Sequence, residues 1–161
     1  TPGLEHTLGG LEKSNIQGTI SYEPENHDLM NKLRAQKIQK VAQDIPDAQI
    51  MGPADADVVV VGWGGTYGHI KAAIEMANQD GMKVAMVHLR YLNPLQKNLG
   101  DLLRRFKKVL VPELNLGQLS YVLRAKYLID AIGYNRITGR PFYVSELLNF
   151  IKDEYKSLRM H

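Results

Sequence analysis

The chain has 161 residues, 44% of them hydrophobic, with 20 basic and 17 acidic side chains and a formal net charge of +3. That length suits one substantial core rather than two. The absence of cysteine excludes disulfides and any Cys-ligated zinc or iron–sulfur site within the chain. Charges scattered without a basic block give no sign of nucleic acid or an anionic membrane, and no apolar run approaches the roughly 20 residues that span a bilayer.

The chain opens on Thr1, Pro2 and Gly3, and its first quarter is polar and glycine-rich, as expected of a piece of a longer polypeptide. No signal peptide is recognisable, so the expected location is cytoplasmic. Residues 1–22 hold four of the 14 glycines without sustained periodicity and read as a connector or arm, with the domain proper over 23–161. From Pro24, the residues Leu29, Leu33, Ile38, Val41 and Ala42 recur at near-helical spacing and predict a helix over 24–44. A regular alternation follows. The strand DVVVVG leads to a helix over 66–79, KVAMVHL to one over 97–106, and KVLVPE to one over 118–132. A weaker strand over 136–138 precedes a helix over 144–156. Continuous apolar strands alternating with helices predict a three-layer α/β/α fold on a mostly parallel sheet of four to five strands. The third of these helices, with Leu119, Val122, Leu123, Leu128, Ile129 and Ile132, is apolar around most of its surface, which suggests burial by the sheet and by a partner.

Ligands of open parallel sheets collect beyond the carboxyl ends of the strands. The candidate residues for a cleft or subunit interface therefore sit in four turns: Gly62, Trp63, Gly64, Gly65 and Thr66; His88, Arg90 and Asn93; Glu113, Asn115 and Gln118; and Arg140. Gly62, Gly64 and Gly68 give G-x-G-x-x-x-G, one residue too long for the dinucleotide fingerprint, and the next strand ends on His88-Leu89-Arg90 where that fingerprint wants an acid. Arg90 could meet a 2′-phosphate; alternatively, the glycines let helix and strand approach closely, with Thr66 as helix N-cap. Gly64 to Gly68 also mimics a nucleophile elbow with threonine, but past His88 only His161 could complete a triad. His6, His27 and His69 have no ligand partner at metal spacing and read as solvent-facing or capping residues. Glu113 ends a buried strand, where a carboxylate needs a partner; pairing, with Arg124, Arg140, another chain or backbone N–H donors, is favoured over acid–base catalysis, with Asn115 and Gln118 fixing the turn into the next helix.

The stretches VVVVGWGGTYGHIKAAIEMA, HLRYLNPLQ, VPELNLGQLSYVLRAKYL and ITGRPFYVSELL, together with TPGLEHTLGGLEKSNIQGTISYEPENHDLM, resemble the α subunit of bacterial 2-oxoacid:ferredoxin oxidoreductases, specifically those acting on 2-oxoglutarate. The family's Glu-x-Asn-x-Gly-Gln-Leu run falls on Glu113, Asn115, Gly117, Gln118 and Leu119, and its Gly-Trp-Gly-Ser/Gly-Thr turn on Gly62 to Thr66. The resemblance covers essentially the whole chain and implies a transketolase C-terminal-like domain that follows a thiamine-pyrimidine-type domain. It further implies a parent that oxidatively decarboxylates 2-oxoglutarate with coenzyme A to succinyl-CoA and passes electrons to ferredoxin. Thiamine diphosphate with Mg, iron–sulfur clusters and the β subunit belong to that parent; the domain itself is expected to hold no cofactor, metal or catalytic residue. Two other readings stand beside it: the same domain of a branched-chain or other 2-oxoacid enzyme, and an independent nucleotide-binding or regulatory module.

Overall fold

The computed structural model describes residues 2–5 and 8–158; Thr1, His6 and His161, named above, lie outside them. Compactness divides the chain into two units, Thr1–Ile45 and Pro46–His161. The break thus falls after the first helix, whereas the sequence suggests one after Tyr22.

In the first unit, helix α1 spans Pro24–Val41, with Pro24 opening it where a missing N–H costs nothing. Of the apolar residues predicted at helical spacing, Leu29, Leu33, Ile38 and Val41 are exposed and Ala42, just past the end of the helix, is buried; α1 itself buries no residue. Polar ties organise the segment before it. A turn closes on Ser14 N–H to Thr19 O at 2.7 Å, and Lys13 pairs with Ile20 in an isolated antiparallel bridge. Asn26 accepts from Asn15 N–H at 2.9 Å and donates to Lys13 O at 2.8 Å. Glu12 receives both Arg34 guanidinium nitrogens, at 3.0 and 3.1 Å, and lies 2.7 Å from His27 Nδ1. The Arg34 bond, helped by His27, holds the Glu12 carboxyl down to about 2.

The second unit is built on four parallel strands, β1 (Val58–Trp63), β2 (Val84–Leu89), β3 (Lys108–Glu113) and β4 (Ala131–Asn135), in the order β2-β1-β3-β4. Side chains of a strand alternate between faces, so each apolar run feeds two cores. Val59, Val61, Ala85, Val87, Val109 and Val111 meet α3 (Leu99–Leu103) and α4 (Gln118–Tyr127) through Leu99, Leu103, Leu119 and Leu123. Val58, Val60, Val84, Met86 and Leu110 meet α2 (Tyr67–Gln79) and α5 (Val144–Ser157) through Ile70, Ile74, Leu147 and Ile151. This is the three-layer α/β/α arrangement expected from the sequence.

Three boundaries differ from expectation. The last strand is Ala131–Asn135 rather than residues 136–138, because α4 stops at Tyr127: Leu128 takes a left-handed backbone, φ 53°, and Ile132, expected on the helix, lies in the sheet. Val122 and Leu128 of the expected all-round apolar helix are exposed. The helix predicted over 97–106 is only Leu99–Leu103. Thr66 stands at the N-cap position of α2, after a single 3₁₀ turn over Gly64–Thr66, but its hydroxyl does not cap the helix. It folds back to donate to Trp63 O at 2.8 Å and accept from Trp63 N–H at 3.3 Å.

A crevice and a pocket at the carboxyl edge of the sheet

Parallel register sets Gly62 beside His88 and Glu113 beside Asn135, so the turns after all four strands gather at one edge. The chain runs from β1 outward to β2 and then returns across β1 to β3, which makes the gap between β1 and β3 the switch point where α/β sheets open. A crevice of about 250 Å³ lies there, lined by Trp63, Gly64, Gly65, Thr66, Leu114, Asn115 and Gln118. Six of the sequence-nominated residues therefore share one wall, and Leu114 joins them without having been nominated.

Gly62 lies at the strand end behind this crevice, and its lack of a side chain has a clear cause. A Cβ there would come within 2.5 Å of Ile70 Cδ1 and 3.1 Å of Thr66 Oγ1. Close approach of strand and helix is thus the role the geometry supports for this glycine.

Glu113 is fully buried. Its Oε1 accepts from Leu119 N–H at 2.8 Å, Asn115 Nδ2 at 3.1 Å and Trp63 Nε1 at 3.3 Å, while Oε2 accepts from Ser120 N–H at 3.0 Å. Four donors and no other acceptor suit a carboxylate, which accepts only. Of the two kinds of partner expected, arginine or backbone N–H, the structure uses the backbone N–H groups. Arg124 instead pairs with Asp130 at 2.6 Å, and Arg140 is exposed. The helix dipole and the unsatisfied first N–H groups of α4 take the place of an arginine. Asn115 completes the saturation: its Oδ1 accepts from Gly117 N–H at 2.7 Å and Gln118 N–H at 3.0 Å. The four leading donors of α4, which could have received a phosphate, are therefore consumed by the chain itself.

The nominated residues after β2 lie apart from this crevice. His88 and Arg90 line a second cavity of about 450 Å³ with Pro46, Asp47, Ala48, Gln49, Met51, Tyr67, Tyr91 and Gln96. Asn93 is exposed outside both linings, as is Arg140. Burial, and then the Arg90 charge, lower the His88 pKa below its usual 6.5. Among the described residues, no group of three or more His, Asp or Glu side chains could hold a metal ion. None of the helices there is long and apolar enough to cross a membrane.

Comparison with known proteins places this architecture. Over 153 residues the chain is 51% identical to the 2-oxoglutarate oxidoreductase subunit KorA of Mycobacterium tuberculosis, covering 94% of this chain and 23% of that protein. A solved 2-oxoglutarate:ferredoxin oxidoreductase from Magnetococcus marinus, with 2-oxoglutarate, coenzyme A and succinyl-CoA bound, superposes with a TM-score of 0.84 at 34% identity over 96% of this chain and 27% of that one. A split-gene transketolase, an inactive β4 tetramer, shares the fold at a TM-score of 0.52 and 15% identity, over 67% of this chain and 41% of that one. The chain spans about a quarter of the length of the two oxidoreductases it matches. With residues 56–147, which run from the start of β1 into α5, matching the family's sequence pattern, the chain belongs to the pyruvate:ferredoxin oxidoreductase core domain II family.

Proposed function

We propose that the chain is the core domain II of a 2-oxoglutarate:ferredoxin oxidoreductase α subunit and serves subunit assembly and the rim of the active-site channel. The parent reaction is oxidative decarboxylation of 2-oxoglutarate with coenzyme A to succinyl-CoA, with electrons passing to ferredoxin. The 51% identity to a KorA subunit and the likeness to an enzyme solved with those ligands support the substrate. The partners are a thiamine-pyrimidine-type domain of the same subunit, a β subunit and, through the complex, ferredoxin. A cytoplasmic location accompanies that assignment.

The observation that carries the non-catalytic role is the saturation of the β1/β3 crevice. Glu113 and Asn115 occupy the donors that a diphosphate would use, and without cysteine the chain has no ligand for an iron–sulfur cluster. Its residues fit neither group, so thiamine diphosphate, Mg and the clusters belong to other parts of the parent. The nominated residues Gly62 to Thr66, Glu113, Asn115 and Gln118 then act as a rigid elbow presented to neighbouring domains.

The test is coenzyme A-dependent oxidation of 2-oxoglutarate with a dye acceptor, by the assembled complex and by the 161-residue chain. Turnover is expected from the complex alone. Turnover by the chain contradicts the proposal.

A further inference from the structure

The cavity beside β2 carries features that assembly does not use. Two buried side-chain polar atoms among the described residues lack a hydrogen-bond partner, His88 Nδ1 and Gln96 Oε1, and both residues line this one cavity. Gln96 is only 5% exposed, and a buried polar group without a partner costs about 1–3 kcal/mol. The walls are fixed beforehand. Met51 and Met86 exchange backbone bonds at 2.9 and 2.8 Å. Asn98 clamps the Ala48 backbone, accepting from its N–H at 2.8 Å and donating to its oxygen at 2.9 Å. The strip over 46–51 is thus held to the sheet edge, and the cavity, about 450 Å³, lies within the ordinary range of ligand pockets.

The lining makes separate chemical demands. Gln96 Oε1 asks for an N–H or O–H donor. His88 Nδ1, on a ring that burial and Arg90 keep neutral near pH 7, suits either a donor or an acceptor. Arg90 has no ion pair among the described residues and asks for an anion. Tyr67 and Tyr91 are both exposed and, with Met51 and Pro46, offer surface for a flat apolar body. Asp47 supplies an acceptor of the kind that ribose hydroxyls use.

We infer that this cavity is a binding site for an adenine nucleotide: the Gln96 side chain, whose Oε1 is shut off from solvent here, turns to accept from the amino group of the base, the ring lies against the tyrosines, and a phosphate meets Arg90. The glycine turn after β1 has no part in it, and the inference stands independently of the assembly role. Free adenine nucleotides and the adenosine 3′,5′-bisphosphate end of coenzyme A share this chemistry.

NMR titration of the 161-residue chain with AMP, coenzyme A and ribose 5-phosphate tests it, read at the His88 ring nitrogens and the Gln96 side-chain amide. Saturable binding of AMP is expected with a Kd of about 1 mM or tighter, with no response to ribose 5-phosphate. Coenzyme A binding as tightly as AMP identifies the coenzyme as the source, and AMP binding alone identifies a free nucleotide. Arg90→Ala, at an exposed position, should weaken AMP by about 10- to 100-fold, the loss of one charge-assisted bond. Gln96→Leu should abolish binding while raising the Tm of the unliganded chain, because it removes a buried acceptor that has no partner. Absence of a saturable response to both nucleotides overturns the inference, as does a response unchanged by Arg90→Ala. So does a crystal soaked in AMP that shows only waters on the two atoms.

Discussion

Strands β1 to β3 keep every valine, leucine and methionine out of water, on one face of the sheet or the other, whereas α1 leaves each of its leucines, isoleucines and valines exposed. The unit Pro46–His161 has two apolar cores that exist because parallel strands are covered on both faces. The unit Thr1–Ile45 relies on Glu12, Arg34, His27 and Asn26, side chains that tie loops together but remove little apolar surface from water. Leu4, Leu8, Leu11, Ile16 and Ile20 are also exposed, Ile16 at 97%. Ordering a backbone residue costs about 1–2 kcal/mol, and exposed polar ties return little of it. The comparison teaches where the two units draw their stability: the second from its own apolar cores, the first from polar ties that leave apolar surface free for the parent enzyme proposed above.

Truncation in the sheet unit should show the largest effect. Leu123→Ala removes a fully buried side chain from the core over α4 and should cost about 2–5 kcal/mol by denaturant titration. Glu113→Gln comes next. It keeps the volume but turns an N–H group toward donors already aimed at the carboxylate, so a loss of about 1–3 kcal/mol is expected. The α4 N-terminal amides, Leu119 and Ser120, should lose hydrogen-exchange protection with it.

A smaller effect should appear with pH. The folded pKa of His88 lies below its unfolded value of about 6.5, so between the two the unfolded chain binds more protons. Stability should be fully present above pH 6.5 and fall as the pH drops toward the folded value; His88→Gln should flatten that part of the curve. Glu12 acts in a lower window, contributing above about 4.5 and losing its contribution as the pH falls to about 2. The smallest effect is expected in α1, where Leu33→Ala should change the stability of the chain by no more than about 0.5 kcal/mol yet weaken assembly with the other subunits. A core-sized loss in the chain alone would erase the contrast between the units.

How much of this was legible in the sequence depends on where the information sits. Uninterrupted runs such as Val58 to Val61 announce buried parallel strands, because few other settings remove water from both faces. β4 was hidden because Ile129 and Ile132 continue the helical spacing of α4, and the break rests on Leu128 in a left-handed conformation that leucine rarely adopts. Glu113 was legible as a group in need of a partner. Backbone N–H donors at the turn into α4 were legible as partners too; which ones, Leu119 and Ser120, and the absence of an arginine were not, since backbone N–H groups carry no residue-type signal. Gln96 gave no sign at all: a glutamine beside Pro94 and Leu95 reads as an exposed loop residue until the fold closes over it.

Hydrogen exchange on the isolated chain and on the assembled enzyme tests the division between the two units most directly. Amides of β1 to β3 should be strongly protected in both states, while those of α1, Pro24–Val41, should exchange fast in the isolated chain and become protected on assembly. Protection of α1 equal to that of β1 in a demonstrated monomer would contradict the account, because the helix would then hold without the surface assigned to the parent.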